Sequence, residues 1–175
     1  DAGTKSPGRY RLEKMVSGAY LGPLCHTLLR RASKEGLFSD AASEHLLNLP
    51  QTDTVAMDGF LRAPSLRSGP IGGSCTTGAD AITAYTLLDN IVERAGKLAA
   101  LNISAAVLES GGGADPTRPA AVCVDGTTFY KTHRLRFYTE FYLLRELEKR
   151  RERNVRLLRI DNAPVIGAGV AGLTN

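Results

Sequence analysis

The sequence predicts an α/β domain in which a helical first part is followed by a strand–helix–strand–helix unit. Two apolar runs, Ala120 to Val124 and Val155 to Ile160, are short enough for strands and flank a stretch from about Leu135 to Arg153 that reads as helix. A much longer stretch, Ala79 to about Leu108, repeats apolar residues at three-to-four spacing, the mark of a helix with one buried stripe. At 175 residues, 43% hydrophobic and 23% charged, the chain has the size and composition of one globular domain. Within residues 1–175 the pattern divides into a helical part over 9–109 and a βαβα part over 119–175.

From Arg9 to about Arg31, Tyr10, Met15, Val16, Tyr20, Leu21, Leu24, Leu28 and Leu29 recur at helical spacing behind Pro7-Gly8. Gly18, Gly22 and Pro23 interrupt that pattern, which predicts a bend or break and a helix end with free backbone amides. Ser39-Asp40 opens a short capped helix to about Leu47, and a second short helix is predicted from Asp53 to Leu61. Ala63 to Gly78, with Pro64, Gly69, Pro70, Gly72, Gly73 and Gly78, reads as a mobile loop without regular structure. Its Gly72-Gly73-Ser74 run lacks the Gly-Lys-Ser/Thr ending and the preceding strand of a phosphate cradle.

In the long central helix Ile82, Tyr85, Leu88, Ile91, Val92, Ala95, Leu98, Ala99 and Ala106 form the expected stripe. Ala95, Gly96, Ala99 and Ala100 leave room for a close neighbour. Gly111-Gly112-Gly113 and Pro116 end it. A final Ala/Gly-rich helix begins at Pro164. Two strands joined through a helix imply a parallel pair with a right-handed crossover, and ligands collect where the carboxyl ends of such strands emerge. Those loops are Asp125 to Thr128 and Asp161 to Ala163.

The net charge of +4 is shared unevenly, with Lys149, Arg150, Arg151, Arg153 and Arg156 close together. Glu146, Glu148 and Glu152 interleave with them at a predicted helix end, where cations oppose the negative dipole terminus, so the cluster reads as a solvated face. No nucleic-acid signature supports another use. Cys25, Cys75 and Cys123 are odd in number and widely spaced, which points to reduced thiols and a cytoplasmic setting. His26, His45 and His133 have no metal-ligand spacing, and no metal ligand is assigned. No apolar run approaches the length of a membrane span, and the first eight residues contain no signal-peptide core.

Two segments carry candidate chemistry. In Asp125-Gly126-Thr127-Thr128, Gly126 can bring backbone amides to a phosphate and the Thr127 hydroxyl can donate to it; a tight turn with local hydrogen bonds explains the same residues. In Asp161-Asn162-Ala163-Pro164, the free amides of a helix start suit an anion, and a capping Asp or Asn suits the sequence equally. Glu13 on the first helix is either an ordinary salt-bridge residue or a ligand-facing carboxylate.

These segments resemble a known family. Arg11-Leu-Glu-Lys-Met-Val-Ser-Gly-Ala-Tyr-Leu-Gly22 resembles the Glu-Lys-Met-x-Ser-Gly-x-Tyr-Leu-Gly segment of hexokinases, and Val124-Asp-Gly-Thr-Thr-Phe-Tyr-Lys131 resembles their Val-Asp-Gly-Thr-x-Tyr-Lys segment. Glu93 to Ala100 is similar to the family's Arg-Ala-Ala helix, and the likeness runs from about Ser6 to Leu173, weakest over 48–78. The chain has one extra residue between Thr127 and Tyr130, and Pro23 where a glutamate is usual. It has Ala163-Pro164-Val165-Ile166 where the family has Gly-Ser-Gly-Lys/Arg, a form resembling bacterial relatives.

The resemblance implies a ribonuclease-H-like, actin-type ATPase fold and transfer of the ATP gamma-phosphoryl to the 6-hydroxyl of a hexose such as glucose, with Mg2+ bridging phosphates. It implies that Glu13 binds the sugar and that Gly18, Gly126 and Thr127 contact the nucleotide. It further implies that the chain is the C-terminal part of the large domain. The family's Gly-rich phosphate loop, Thr-Lys and Asn-Asp sugar contacts and aspartate base have no counterpart here, so no catalytic residue is assigned and the chain alone is expected to be inactive. Its partners would be ATP, the hexose and the N-terminal half of the same protein, and an open sheet edge predicts self-association. The alternative is a non-catalytic actin-like or sugar-sensing ATP-binding module.

Overall fold

The computed structural model describes residues 6–160 and 162–174. Helices α1 (Arg11–Val16) and α2 (Gly18–Lys34) are the predicted N-terminal pair, and the break falls at Ser17, whose extended backbone (φ −81°, ψ 150°) closes one helix and opens the next. No second break occurs at Gly22 or Pro23, contrary to expectation. Pro23 lies early in α2 and removes only the donor that would reach the Ala19 carbonyl, while the face made by Leu21, Cys25, Leu29 and Ala32 stays buried on both sides of it.

Helices α3 (Asp40–Asn48) and α4 (Thr54–Arg62) follow, capped by Ser39 Oγ accepting from the Ala42 N–H and by Asp53 accepting from the Ala56 N–H at 2.8 Å. Residues 63–78 are not the irregular loop the composition predicts. They form a 3₁₀ turn (Pro64–Leu66) and a short helix α5 (Gly69–Ser74) that starts with Pro70 in its first turn and buries Ile71 completely. Burying that one isoleucine in the main core offsets the poor helix propensity of its glycines.

The central helix α6 (Gly78–Glu109) opens on a capping box between Thr77 and Asp80. Its stripe of Leu88, Ile91, Val92 and Ala95 is buried, as predicted, whereas Ile82 is 70% exposed and Ala106 faces solvent. Asp80 is only 3% exposed. Its Oδ1 accepts from the Ser39 N–H at 2.8 Å, and its Oδ2 accepts from Ser39 Oγ at 2.9 Å and from the Thr77 N–H and Oγ1 at 2.9 and 2.8 Å. One carboxylate therefore ties the start of α3 to the start of α6.

Helix α8 (Leu135–Leu143) lies along α6, where Gly96 admits it: a Cβ on Gly96 would sit 2.6 Å from Tyr138 Cβ. The tyrosines of this seam donate to α6 carboxylates, Tyr138 Oη to Asp89 at 2.5 Å and Tyr142 Oη to Glu93 at 2.7 Å. The helical run continues through a π turn (Leu144–Glu148), which keeps Leu147 buried, into α9 (Lys149–Arg151). Glu146 pairs with Arg150 at 2.9 Å and Arg145 at 3.3 Å, as a solvated charged face requires.

Strands β1 (Ala120–Cys123) and β2 (Val155–Leu158) pair in parallel, with Ala120 opposite Val155 and Cys123 opposite Leu158. The sequence suggests buried strands, but β1 alternates half-buried and exposed residues. One side of this small sheet packs, through Ala120, Val122, Val155 and Leu157, onto Tyr142, Leu143 and Leu147. A five-residue helix α7 (Thr127–Lys131) intervenes between β1 and α8, and α10 (Ala163–Thr174) turns Val165, Ile166, Val170 and Leu173 to solvent. No helix among the described residues is long and apolar enough to cross a membrane.

Candidate functional site

The segments Arg11–Gly22 and Val124–Lys131, far apart in the sequence, meet in space. Gly18, the first residue of α2, packs so closely on Thr128 that a Cβ added there would run into Thr128 Oγ1 and lie 3.4 Å from its Cβ and Cγ2. A side chain at position 18 would push the two elements apart, so glycine is required by the approach itself. A second clamp holds the same end of α2. Thr54 Oγ1 donates to the Gly18 carbonyl and accepts from the Gly22 N–H at 2.9 Å. Gly22 in turn lies against the Asp53–Thr54 backbone, where a Cβ would be 2.7 Å from Asp53 Cα.

The N-terminus of α2 has no side-chain cap. Ser17 occupies the capping position, yet its Oγ is buried without a hydrogen-bond partner. A 17-residue helix directs its unpaired amides and partial positive charge toward this end, an arrangement suited to anionic oxygen. Opposite it, Gly126 caps α7 with φ +122°, a conformation reserved for glycine, and its N–H is taken by the Asp125 carboxylate at 2.8 Å. Tyr130 Oη donates to the Val124 carbonyl at 3.0 Å and fixes α7 against the end of β1.

Because β1 and β2 are parallel, the loops after them emerge on one side. Arg159, just past β2, places its guanidinium 4.8 Å from the centre of the Tyr130 ring and so brings a cation beside the β1 loop. The loop at Asp161–Ala163 is described only in part, since Asp161 lies outside the described residues.

Of the candidate residues, Gly18, Gly126 and Thr127 belong to this junction, with Gly126 and Thr127 exposed on the β1 loop. The hydroxyl that touches Gly18 is that of Thr128, not Thr127. In the first turn of α7 Thr127 is exposed and Thr128 is half-buried. Glu13 is exposed on α1, and its backbone carbonyl accepts the Ser17 N–H at 2.8 Å, which links its position to the α2 start. Sequence reasoning missed Ser17, Thr54, Thr128 and Arg159. Ser17 and Thr128 lie inside the quoted segments, whereas nothing in local spacing marks Thr54 or Arg159.

A family model described as "Hexokinase" matches residues 1–174. The chain belongs to the hexokinase family. It is 28% identical over 143 residues to human Hexokinase-2, a stretch that covers 76% of this chain and 15% of that relative. The chain thus spans well under a fifth of the length of the curated relative it matches. The two segments that meet at Gly18 and Thr128 both lie within the family match.

Proposed function

We propose that this chain is the C-terminal part of the large domain of an ATP-dependent hexose 6-phosphotransferase, with a ribonuclease-H-like, actin-type fold. The observation that carries the reading is the contact of Gly18 with Thr128, which unites two distant family segments at one uncapped helix start. In this reading Glu13 accepts hydrogen bonds from hexose hydroxyls. Gly18, Gly126 and Thr127 approach ATP, with Ser17 Oγ and Thr128 as additional polar contacts. Backbone amides and hydroxyls are the right donors for phosphate oxygens, and they are held rigid here by Thr54 and by the Tyr130 bond to Val124.

Magnesium, were it bound together with the nucleotide, would supply positive charge to offset that of the phosphates. No residue of the chain is assigned as base for the sugar hydroxyl. The chain alone therefore positions ligands without abstracting the proton, and phosphoryl transfer requires the remainder of the protein. The sheet edges without a strand partner among the described residues and the apolar side chains of α10 support self-association of the isolated chain, which light scattering checks.

The deciding experiment is glucose-dependent ADP production from ATP, measured on the protein extended to its natural N-terminus and on this chain beside it. Turnover by the extended protein alone is the expected result. Turnover by the chain alone contradicts its assigned role, and binding of ATP without turnover in either favours a sugar-sensing module.

A further inference from the structure

Helix α4 grips both segments of the junction along one edge. Thr54, Asp58 and Arg62 stand four residues apart on it, so their side chains fall on successive turns of one face. Thr54 holds the Gly18 end of α2. The other two hold the far end of α7. Asp58 Oδ1 accepts the His133 N–H at 2.5 Å, and Arg62 Nη2 donates to the Lys131 carbonyl. Between them, Arg62 Nε donates to Asp58 Oδ2 at 2.7 Å. Met57, Phe60 and Leu61 of the same helix are buried in the core, which gives this edge a rigid base.

An ion pair four residues apart on a helix surface ordinarily contributes little. That role leaves unexplained why both partners also bond the backbone of residues 131–133. Helix α7 has five residues, too few to keep its place alone, and Lys131 is its last residue, whose carbonyl has no acceptor role within the helix. Tyr130 Oη fixes α7 to the end of β1, and Thr128 rests on Gly18. Arg62 and Asp58 fix the remaining end. Arg134 opens α8 with a left-handed backbone (φ 58°) and pairs with Asp89 of α6 at 3.1 Å, so α8 has an anchor of its own.

We infer that Asp58 and Arg62 are positioning residues for the nucleotide, setting the distance of Thr127 and Thr128 from the start of α2, a role that rests on the reading of the Gly18–Thr128 junction as a nucleotide contact. Neither has to touch the ligand, because both act through the backbone at the end of α7. The planar guanidinium fork suits the task, since it donates to a carboxylate and to a carbonyl at once in fixed geometry.

The test is a titration of the chain with Mg2+–ADP, read from backbone amide shifts, in the parent and three variants. Arg62→Met keeps the apolar stem and removes the donors, and its dissociation constant should rise about fivefold or more. The exchanged pair Asp58→Arg/Arg62→Asp retains opposite charges at the same spacing but sets a carboxylate against the Lys131 carbonyl and a guanidinium against the His133 N–H. It should lose at least as much affinity. Arg31→Met breaks an exposed pair of equal spacing, Arg31 with Glu35 on α2, and should bind as the parent does. Unchanged circular dichroism verifies that each variant is folded, and Arg62→Met, at an exposed position, decides the matter if the exchanged pair does not fold. Parent-like affinity in Arg62→Met or in the folded exchanged pair, or an equal loss in Arg31→Met, overturns the positioning role and leaves the nucleotide reading standing. A parent chain that binds no Mg2+–ADP overturns both.

Discussion

Gly18 and Thr128 touch although they lie in distant segments of the chain, and the contact leaves no room for a Cβ on residue 18. Threonine is β-branched, so its χ1 adjusts little and the strain of a larger residue falls on the backbone of α2 or α7. Gly18→Ala should cost about 1–3 kcal/mol of stability, as overpacking does. Thr128→Ala should return much of that loss in the double variant, giving a coupling of at least about 0.5 kcal/mol in urea denaturation.

Thr54 is the other holder of this end of α2. Its hydroxyl bonds both the Gly18 carbonyl and the Gly22 N–H, so Thr54→Val keeps the shape and strands two backbone groups. We expect a loss of about 1–3 kcal/mol and faster hydrogen exchange at Gly22, with Thr54→Ser close to the parent.

Asp80 sets the response to acid. Burial pulls its carboxyl upward, but the N–H and hydroxyl donors of Ser39 and Thr77 outweigh that and hold it well below the usual carboxylate range. A value lowered on folding contributes stability that is complete above the unfolded pKa, near 3.9, and is lost as pH falls through the folded-state value. Asp80→Asn should lower stability at pH 7 by about 2–3 kcal/mol, and its stability should fall less steeply than the parent's below about pH 4.

The parts of the fold legible in sequence are those long enough to repeat or those marked by a cap. Thirty-two residues of α6 display their period many times, and Ser39 and Asp53 announce α3 and α4 by side-chain chemistry. Helix α5 escapes because six residues rich in glycine show no period, and its stability comes from Ile71 entering a core built by other segments. Ile82 fits the stripe by spacing but falls on the exposed side of the first turns of α6. At the site, the motif residues could be read from the chain, but the inward turn of Thr128 could not. That depends on how α7 is set against the start of α2. The clamp by Thr54 joins segments that only the fold brings together.

The thiols provide a further check on burial. Burial pushes Cys25 up to about 12, with Arg94 pulling weakly against it, and Cys75 up to about 11 with help from Asp80; Cys123 is exposed. At pH 8 iodoacetamide should modify Cys123 alone in the native chain and all three after unfolding, as read by mass spectrometry.

The most direct measurement is a titration of the isotope-labelled chain with Mg2+–ADP, followed through its backbone amide resonances. Saturable shifts at Gly18, Gly126, Thr127 and Thr128, with the amides of α3 and α5 unmoved, are predicted if the meeting of the two segments is a nucleotide contact. Saturable binding that leaves those four amides in place and shifts a different surface would contradict it.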